Sequence, residues 1–271
     1  MPIDITVIIP TYKPQDYFEE CLRSVAQQTL DNSRFELIIV LNGCNEPYHQ
    51  TILSWLQPYP QMQVRIIQTD TPGVSNARNL GLEHARGENI CFIDDDDRVS
   101  PNYLKSLLLA KTSDDCITVS NVQDYDEKEG TFHDDYITKA YKKFAAKGFA
   151  PILKGRSFLS SSCCKLIPLS IIGNRRFDTR FTIGEDSLFM AAISNKLKTI
   201  KLASADAIYY RFERTGSVSR SRRSKQEVLK NIFKTWKAYI QIYLSDIWHY
   251  NFFFFATRLI AVFISQVKTI I

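Results

Sequence analysis

Ile90-Cys91-Phe92-Ile93-Asp94-Asp95-Asp96-Asp97 decides the reading of the fold, because an apolar run of strand length breaks into four consecutive aspartates. A short, continuous apolar run bounded in this way reads as a strand buried on both faces, as in a parallel sheet. In such a sheet the ligand crevice lies beyond the carboxyl ends of the strands, so the residues after each run are the candidates for chemistry. Four adjacent carboxylates repel one another unless a counter-charge joins them, and a divalent cation is the natural one. Hard oxygen donors suit Mg²⁺ or Mn²⁺, which take one or two carboxylates together with waters and phosphate oxygens. The plainer reading is a solvated acidic turn.

Outward from this stretch, the pattern alternates. Ile5 to Pro10, Phe35 to Leu41, Val64 to Gln68 and Asn89 to Ile93 read as strands. Gln15 to Gln28, Tyr48 to Gln57 and Val74 to Ala85 read as helices between them, and a further helix is expected from Pro101, which follows Ser100. Strand–helix alternation of this kind predicts an α/β fold, a parallel sheet with helices on both faces. The strand ends then present Pro10, Thr11 and Tyr12, next Asn42 and Gly43, and finally the aspartates, while the Gly73 to Gly81 loop and helix approach the same crevice.

The chain has 271 residues, 45% of them hydrophobic, enough for a full core in one large domain or two fused halves. Its net charge of +5 favours phosphate-bearing or anionic-surface partners but is no nucleic-acid signature. Six cysteines at 21, 44, 91, 116, 163 and 164 show no CxxC spacing, so neither a zinc site nor a disulfide framework is expected, and a reducing cytosol fits best. Met1 runs directly into the first strand pattern without the features of a signal peptide, so secretion is not expected.

Four segments, in order, resemble family 2 glycosyltransferases. Val7-Ile8-Ile9-Pro10-Thr11-Tyr12 resembles that family's opening strand, and Gly73-Val74-Ser75-Asn76-Ala77-Arg78-Asn79-Leu80-Gly81 resembles its G-x-x-x-A-R-N-x-G helix start. Phe92 to Asp97 resembles its strand-end D-x-D-D, and Phe181-Thr182-Ile183-Gly184-Glu185-Asp186 its G-E-D segment. The resemblance spans residues 5 to about 220. It implies a GT-A fold: a mainly parallel, Rossmann-like sheet flanked by helices, here with a helical C-terminal tail. It also implies a division into a nucleotide-sugar-binding half over residues 1–120, an acceptor-binding half over 121–210, and a basic, amphipathic and apolar segment over 211–271.

The reaction implied is transfer of a sugar from a nucleoside diphosphate to a hydroxyl of a saccharide or lipid-linked saccharide, with inversion at the anomeric carbon. By the resemblance Pro10, Thr11, Tyr12, Arg78, Asp94 and Asp95 face the nucleotide sugar, with Asn42 a further candidate at the second strand end, and Asp94 and Asp96 hold Mn²⁺ or Mg²⁺. The difficult event is departure of the diphosphate, which the cation assists as a Lewis acid and positive groups such as Arg78 and the Arg211 to Arg223 segment reinforce. The acceptor hydroxyl needs a carboxylate to take its proton; Asp186 is the choice and Glu185 the alternate. For Asp186 the plainer role is to favour a helix N-terminus, and for Arg78 to sit exposed on a helix side. Where many relatives carry an acidic pair before glycine, this chain has Leu41-Asn42-Gly43, so uracil recognition is not implied; Asn42 offers its amide to a base edge or simply makes a turn.

Lys165, in Cys163-Cys164-Lys165-Leu166, is either a surface lysine or a contact for an anionic acceptor, and Arg214 to Ser219 is either a mobile lid or a linker. From Val228 apolar residues recur at helical spacing with Lys230, Lys234 and Lys237 largely on another face, followed by Phe252-Phe253-Phe254-Phe255 and an apolar stretch too short for a membrane span. This tail either lies in the plane of an anionic membrane or packs on the catalytic domain or a second subunit. The family and the tail together point to cell-surface polysaccharide or glycolipid assembly at the cytoplasmic, inner face of the cell membrane. The rivals are a non-catalytic nucleotide-sugar-binding or scaffold protein, and a metal-dependent phosphotransferase, against which the lack of a P-loop pattern counts.

Overall fold

In the computed structural model, which describes residues 2–126, 129–212 and 224–267, the first four strands are β1 (Ile5–Thr11), β2 (Phe35–Asn42), β3 (Val64–Thr69) and β4 (Asn89–Phe92). β1 is buried along its whole length, and such a strand needs neighbours on both edges and cover on both faces. β2 lies parallel to it on one edge and β4 on the other, and β3 continues the parallel set beyond β2. The connections are α1 (Asp16–Ala26), α2 (Tyr48–Leu56) and α3 (Val74–His84), so the spans read from the periodicity hold to within two residues. In α1 the apolar positions Phe18, Cys21, Leu22 and Val25 recur at helical spacing and are the buried ones.

Further along come β5 (Arg98–Val99), α4 (Tyr103–Ala110), β6 (Cys116–Val119), β7 (Asn121–Asp126), β8 (Thr131–His133) and α5 (Tyr136–Phe144). Then follow β9 (Phe149–Ala150), β10 (Lys165–Pro168), α6 (Leu169–Ile172), α7 (Glu185–Ile193), β11 (Thr199–Leu202) and β12 (Ile208–Phe212). The large sheet has the order β3-β2-β1-β4-β10-β6-β11-β9, and a second sheet the order β5-β12-β7-β8. β10 runs antiparallel to both β4 and β6, so the sheet is parallel on one side of β4 and mixed on the other. The stretch in which alternation fades thus returns three strands to the large sheet. Each is two to four residues long, too short for a period to show.

The tail forms α8 (Lys225–Ser245) and α9 (Phe252–Val267), with Ser224 and Glu227 making a reciprocal cap at the start of α8. The two helices pack on each other, and Trp236 donates its ring N–H to Leu259 O at 3.0 Å. Their inner faces join the contiguous core through Ala238, Tyr239, Phe254 and Phe255. Packing on the body of the fold therefore accounts for one side of the tail. Phe252-Phe253-Phe254-Phe255 divides accordingly, the first two rings exposed and the last two buried. Among the described residues no helix is long and apolar enough to cross a membrane.

Candidate active site

Gly81 sets the distance between α3 and the sheet, because a Cβ there would lie 2.5 Å from Ile8 Cγ2 of β1. With α3 held this close, Arg78, one turn earlier on the helix, reaches the end of β4 and is only 3% exposed. Its Nη2 donates to Asp94 Oδ1 at 2.7 Å and its Nη1 to Asp186 Oδ1 at 2.6 Å, with Glu185 Oε1 3.6 Å from Nη1. One guanidinium therefore joins the acids of β4 to the acids of α7.

The plainer reading of Arg78 as an exposed arginine is thus corrected. A buried guanidinium is costly unless carboxylates compensate it. Burial opposes its charge, but Asp186 and Asp94 outweigh that opposition and hold its pKa well above the usual value.

Asp186 is anchored a second way. α7 opens at Glu185 after Gly184, whose φ of 82° is left-handed and suits glycine. Asp186 then accepts from the Ser162 hydroxyl at 2.9 Å, the Ser162 backbone N–H at 3.2 Å and the Ser161 hydroxyl at 3.3 Å. The serine loop is brought beside β4 by a bridge between Phe92 and Cys163. It is pinned by Lys165, whose Nζ donates to Ser161 O at 2.6 Å and Cys163 O at 2.5 Å. Lys165 is 2% exposed, which corrects both its sequence readings: it is neither a surface lysine nor a group turned to an acceptor, and burial lowers its pKa.

The strand-end acids diverge. Asp94 turns to Arg78 while its backbone N–H donates to the Tyr209 hydroxyl at 3.1 Å. Asp95 Oδ2 accepts from Thr11 Oγ1 at 2.6 Å, and Asp97 Oδ1 from the Phe212 N–H at 3.0 Å. Burial, added to the charges of Asp96 and Asp94, pushes the Asp97 carboxyl well above the usual range. Glu185 rises to about 7, chiefly by burial and then by the neighbouring Asp186. Asp94, Asp95 and Asp97 thus each take a different partner, and hard oxygen donors of this kind are a set whose chemistry a divalent cation suits.

The remaining expected residues fall on the same side of the sheet with different freedom. Pro10 and Thr11 are buried at the end of β1, whereas Tyr12 is 50% exposed beyond them. Asn42 is 4% exposed; its amide donates to Thr11 O at 2.7 Å and accepts from Gly73 N at 2.9 Å. It braces β1, β2 and the start of α3, so the amide offered to a base edge is engaged in the framework. Arg211 makes a two-point pair with Asp124, at 2.7 and 2.9 Å, and reaches Asp135 at 2.5 Å. The rest of the basic segment, including Arg214 to Ser219, lies outside the described residues.

Four contributors escaped the sequence reading: Ser161, Ser162, Tyr209 and Phe177, whose ring lies 5.4 Å from the Arg78 guanidinium. The run Ser160-Ser161-Ser162 before β10 was the only local signal. Also unforeseen is the trio Asp126, Glu129 and His133 around the β7–β8 turn. Among the described residues these are the three whose ligand atoms come within 4.8 Å of one another, but Glu129 and His133 stand exposed, where water competes.

Residues 6–171 match the family model described as Glycosyl transferase family 2. The chain is 29% identical over 228 residues to glycosyltransferase GlyA of Streptococcus pneumoniae serotype 4, covering 80% of this chain and 31% of that protein. It is 27% identical over 219 residues to the minor teichoic acid biosynthesis protein GgaB of Bacillus subtilis, covering 79% of this chain and 23% of that protein. The chain therefore spans less than a third of either relative. Its fold is similar to the crystal structure of S. aureus TarS 1-349 in complex with UDP-GlcNAc, with a TM-score of 0.74 at 20% identity over 97% of this chain and 72% of that one.

Proposed function

The chain belongs to glycosyltransferase family 2 and has the GT-A fold, and from this we propose that it moves a sugar from a nucleoside diphosphate to a hydroxyl of a saccharide or lipid-linked saccharide, inverting the anomeric carbon. The work is assembly of a cell-surface polysaccharide or glycolipid at the inner face of the cell membrane. The observation that carries this reading is the placement of Arg78 between Asp94 and Asp186. A binding or scaffold protein has no need to tie a diphosphate-side acid to a second carboxylate suited to proton transfer.

In this reading Thr11, Tyr12 and Asp95 line the nucleoside side. Asp94 and Asp96 would hold Mn²⁺ or Mg²⁺, which offsets charge on the leaving diphosphate. Arg78 fixes Asp186 from one side and Ser162 from the other, so the carboxylate is presented in one orientation. As the acceptor oxygen bonds to the anomeric carbon and the carbon–phosphate oxygen bond breaks, the hydroxyl proton passes to Asp186. The relative solved with UDP-GlcNAc makes a UDP-linked N-acetylhexosamine the first donor to test.

The titration of Glu185 near 7 supports a second assignment, in which Glu185 is the base, since a base works best with a pKa near the working pH. Asp186→Asn and Glu185→Gln separate the two. With Asp186 as base, Asp186→Asn keeps donor binding, read as a ligand-induced rise in Tm, and loses transfer by at least about a hundredfold. Full transfer by Asp186→Asn, with loss in Glu185→Gln, moves the role to Glu185. Full transfer by both overturns the site.

A further inference from the structure

The outward side of the α8–α9 hairpin carries the feature that the site does not absorb. On α8 Leu229, Phe233, Ile240 and Leu244 are exposed; Trp248, in the turn, is 88% exposed; on α9 Phe253, Ile260 and Phe263 are exposed. The stripes of the two helices are joined through Trp236: Phe233 meets it with ring centroids 6.1 Å apart, and it meets Phe263 at 6.4 Å. The opposite side of the hairpin is already bonded to the body, so this face is not an unsatisfied core contact. Tyr239 donates to Ser187 Oγ of α7 at 2.9 Å, Lys234 to Arg180 O at 2.7 Å, and Arg258 to Arg156 O at 3.0 Å.

Charge indicates the occupant. At 100° per residue Lys230 and Lys237 fall along one border of the exposed stripe of α8, and both are exposed. The acids of residues 224–267 lie elsewhere: Glu227 caps Ser224, and Asp246 pairs with His249 and Asn195. An apolar face rich in Phe and Trp, bordered by lysines and without acids, matches a lipid surface bearing negative headgroups. We propose that the outward face of α8–α9 seats the protein in the plane of an anionic bilayer, with Trp248 and Phe253 entering the acyl boundary and Lys230 and Lys237 at headgroup level. Through Tyr239 and Ser187 the docked hairpin is bonded to α7, the helix that begins at Glu185 and Asp186, so docking holds the acceptor side of the site at the bilayer. The proposal rests on the reading of this chain as an enzyme acting at the membrane face, and names the surface that meets it.

The test is flotation of the full chain with vesicles of phosphatidylcholine alone and of phosphatidylcholine with 40% phosphatidylglycerol. Binding is expected only to the second kind, and to fall in 0.5 M salt. Each lysine near such a surface changes affinity by roughly fivefold, so Lys230→Gln with Lys237→Gln should weaken binding by more than about tenfold. Trp248→Ser with Phe253→Ser should abolish it, with Tm and donor binding unchanged. Equal binding to both vesicle types, or none to either, overturns the proposal. So does a concentration-dependent dimer that Trp248→Ser with Phe253→Ser dissolves, which would assign the face to a second copy. Transfer to a soluble acceptor is measured on the same samples: transfer without vesicle binding sinks the docking surface alone, and vesicle binding without transfer sinks the site reading alone.

Discussion

A buried guanidinium between two carboxylates responds to substitution differently from a surface ion pair. Arg78→Ala would leave Asp94, Asp186 and Glu185 facing one another without a cation, at a cost of about 3 kcal/mol in chemical denaturation. Arg78→Lys should restore part of the stability and little of the transfer, because a point charge cannot reproduce the two-sided fork. Glu185 makes a prediction with a definite sign. Its folded pKa of about 7 lies above the unfolded value of 4.5, so between these the native state holds the extra proton and stability is lost as pH rises. Glu185→Gln should therefore be more stable than the natural chain above pH 7, by up to about 3 kcal/mol, with the gap closing below about pH 4.5. A gap that persists or widens at low pH would refute the assignment. Legibility at this scale was uneven: the acids of 94–97 announced themselves as a run, but nothing local distinguished Asn42 as a brace or Ser162 as an anchor, because both roles depend on residues far away in the chain.

Among the elements, α3 is the one on which the site depends, and Gly81 fixes its seat against β1. Gly81→Ala would press a methyl group onto Ile8, lowering stability by roughly 1–3 kcal/mol and shifting Arg78 outward. Transfer should fall more steeply than donor binding, which steady-state kinetics would resolve; unchanged kinetics in a folded variant would detach Arg78 from the mechanism. The parallel strands and their helices were readable because a strand buried on both faces is a continuous apolar run and an amphipathic helix repeats along its own length. β9, β10 and β11 were not, since pairing with distant partners, rather than any internal period, makes them strands.

For the whole molecule, the tail is the part whose role changes with scale. Read as a sequence it offered packing or lipid as alternatives; in the fold it has two sides, one already within the core. Deleting residues 224–271 should uncover the faces that Tyr239, Phe254 and Phe255 cover, giving protein that elutes as aggregates in size exclusion or melts at least about 5 °C lower. A monomer of unchanged Tm would show that the hairpin adds nothing to the core.

The sequence by itself determined the α/β class, the edge of the sheet that carries the candidate site, and the apolar and basic character of the tail. All three are written in runs and periods, which one strand or helix imposes on its own residues. Only the tertiary structure decided that Arg78 lies between Asp94, 16 positions on, and Asp186, 108 positions on, and that Lys165 is a buried pin. Those outcomes follow from the closeness of α3 to β1 and from the cost of burying a charge without partners, energies that depend on which segments meet in space and leave no period along the chain.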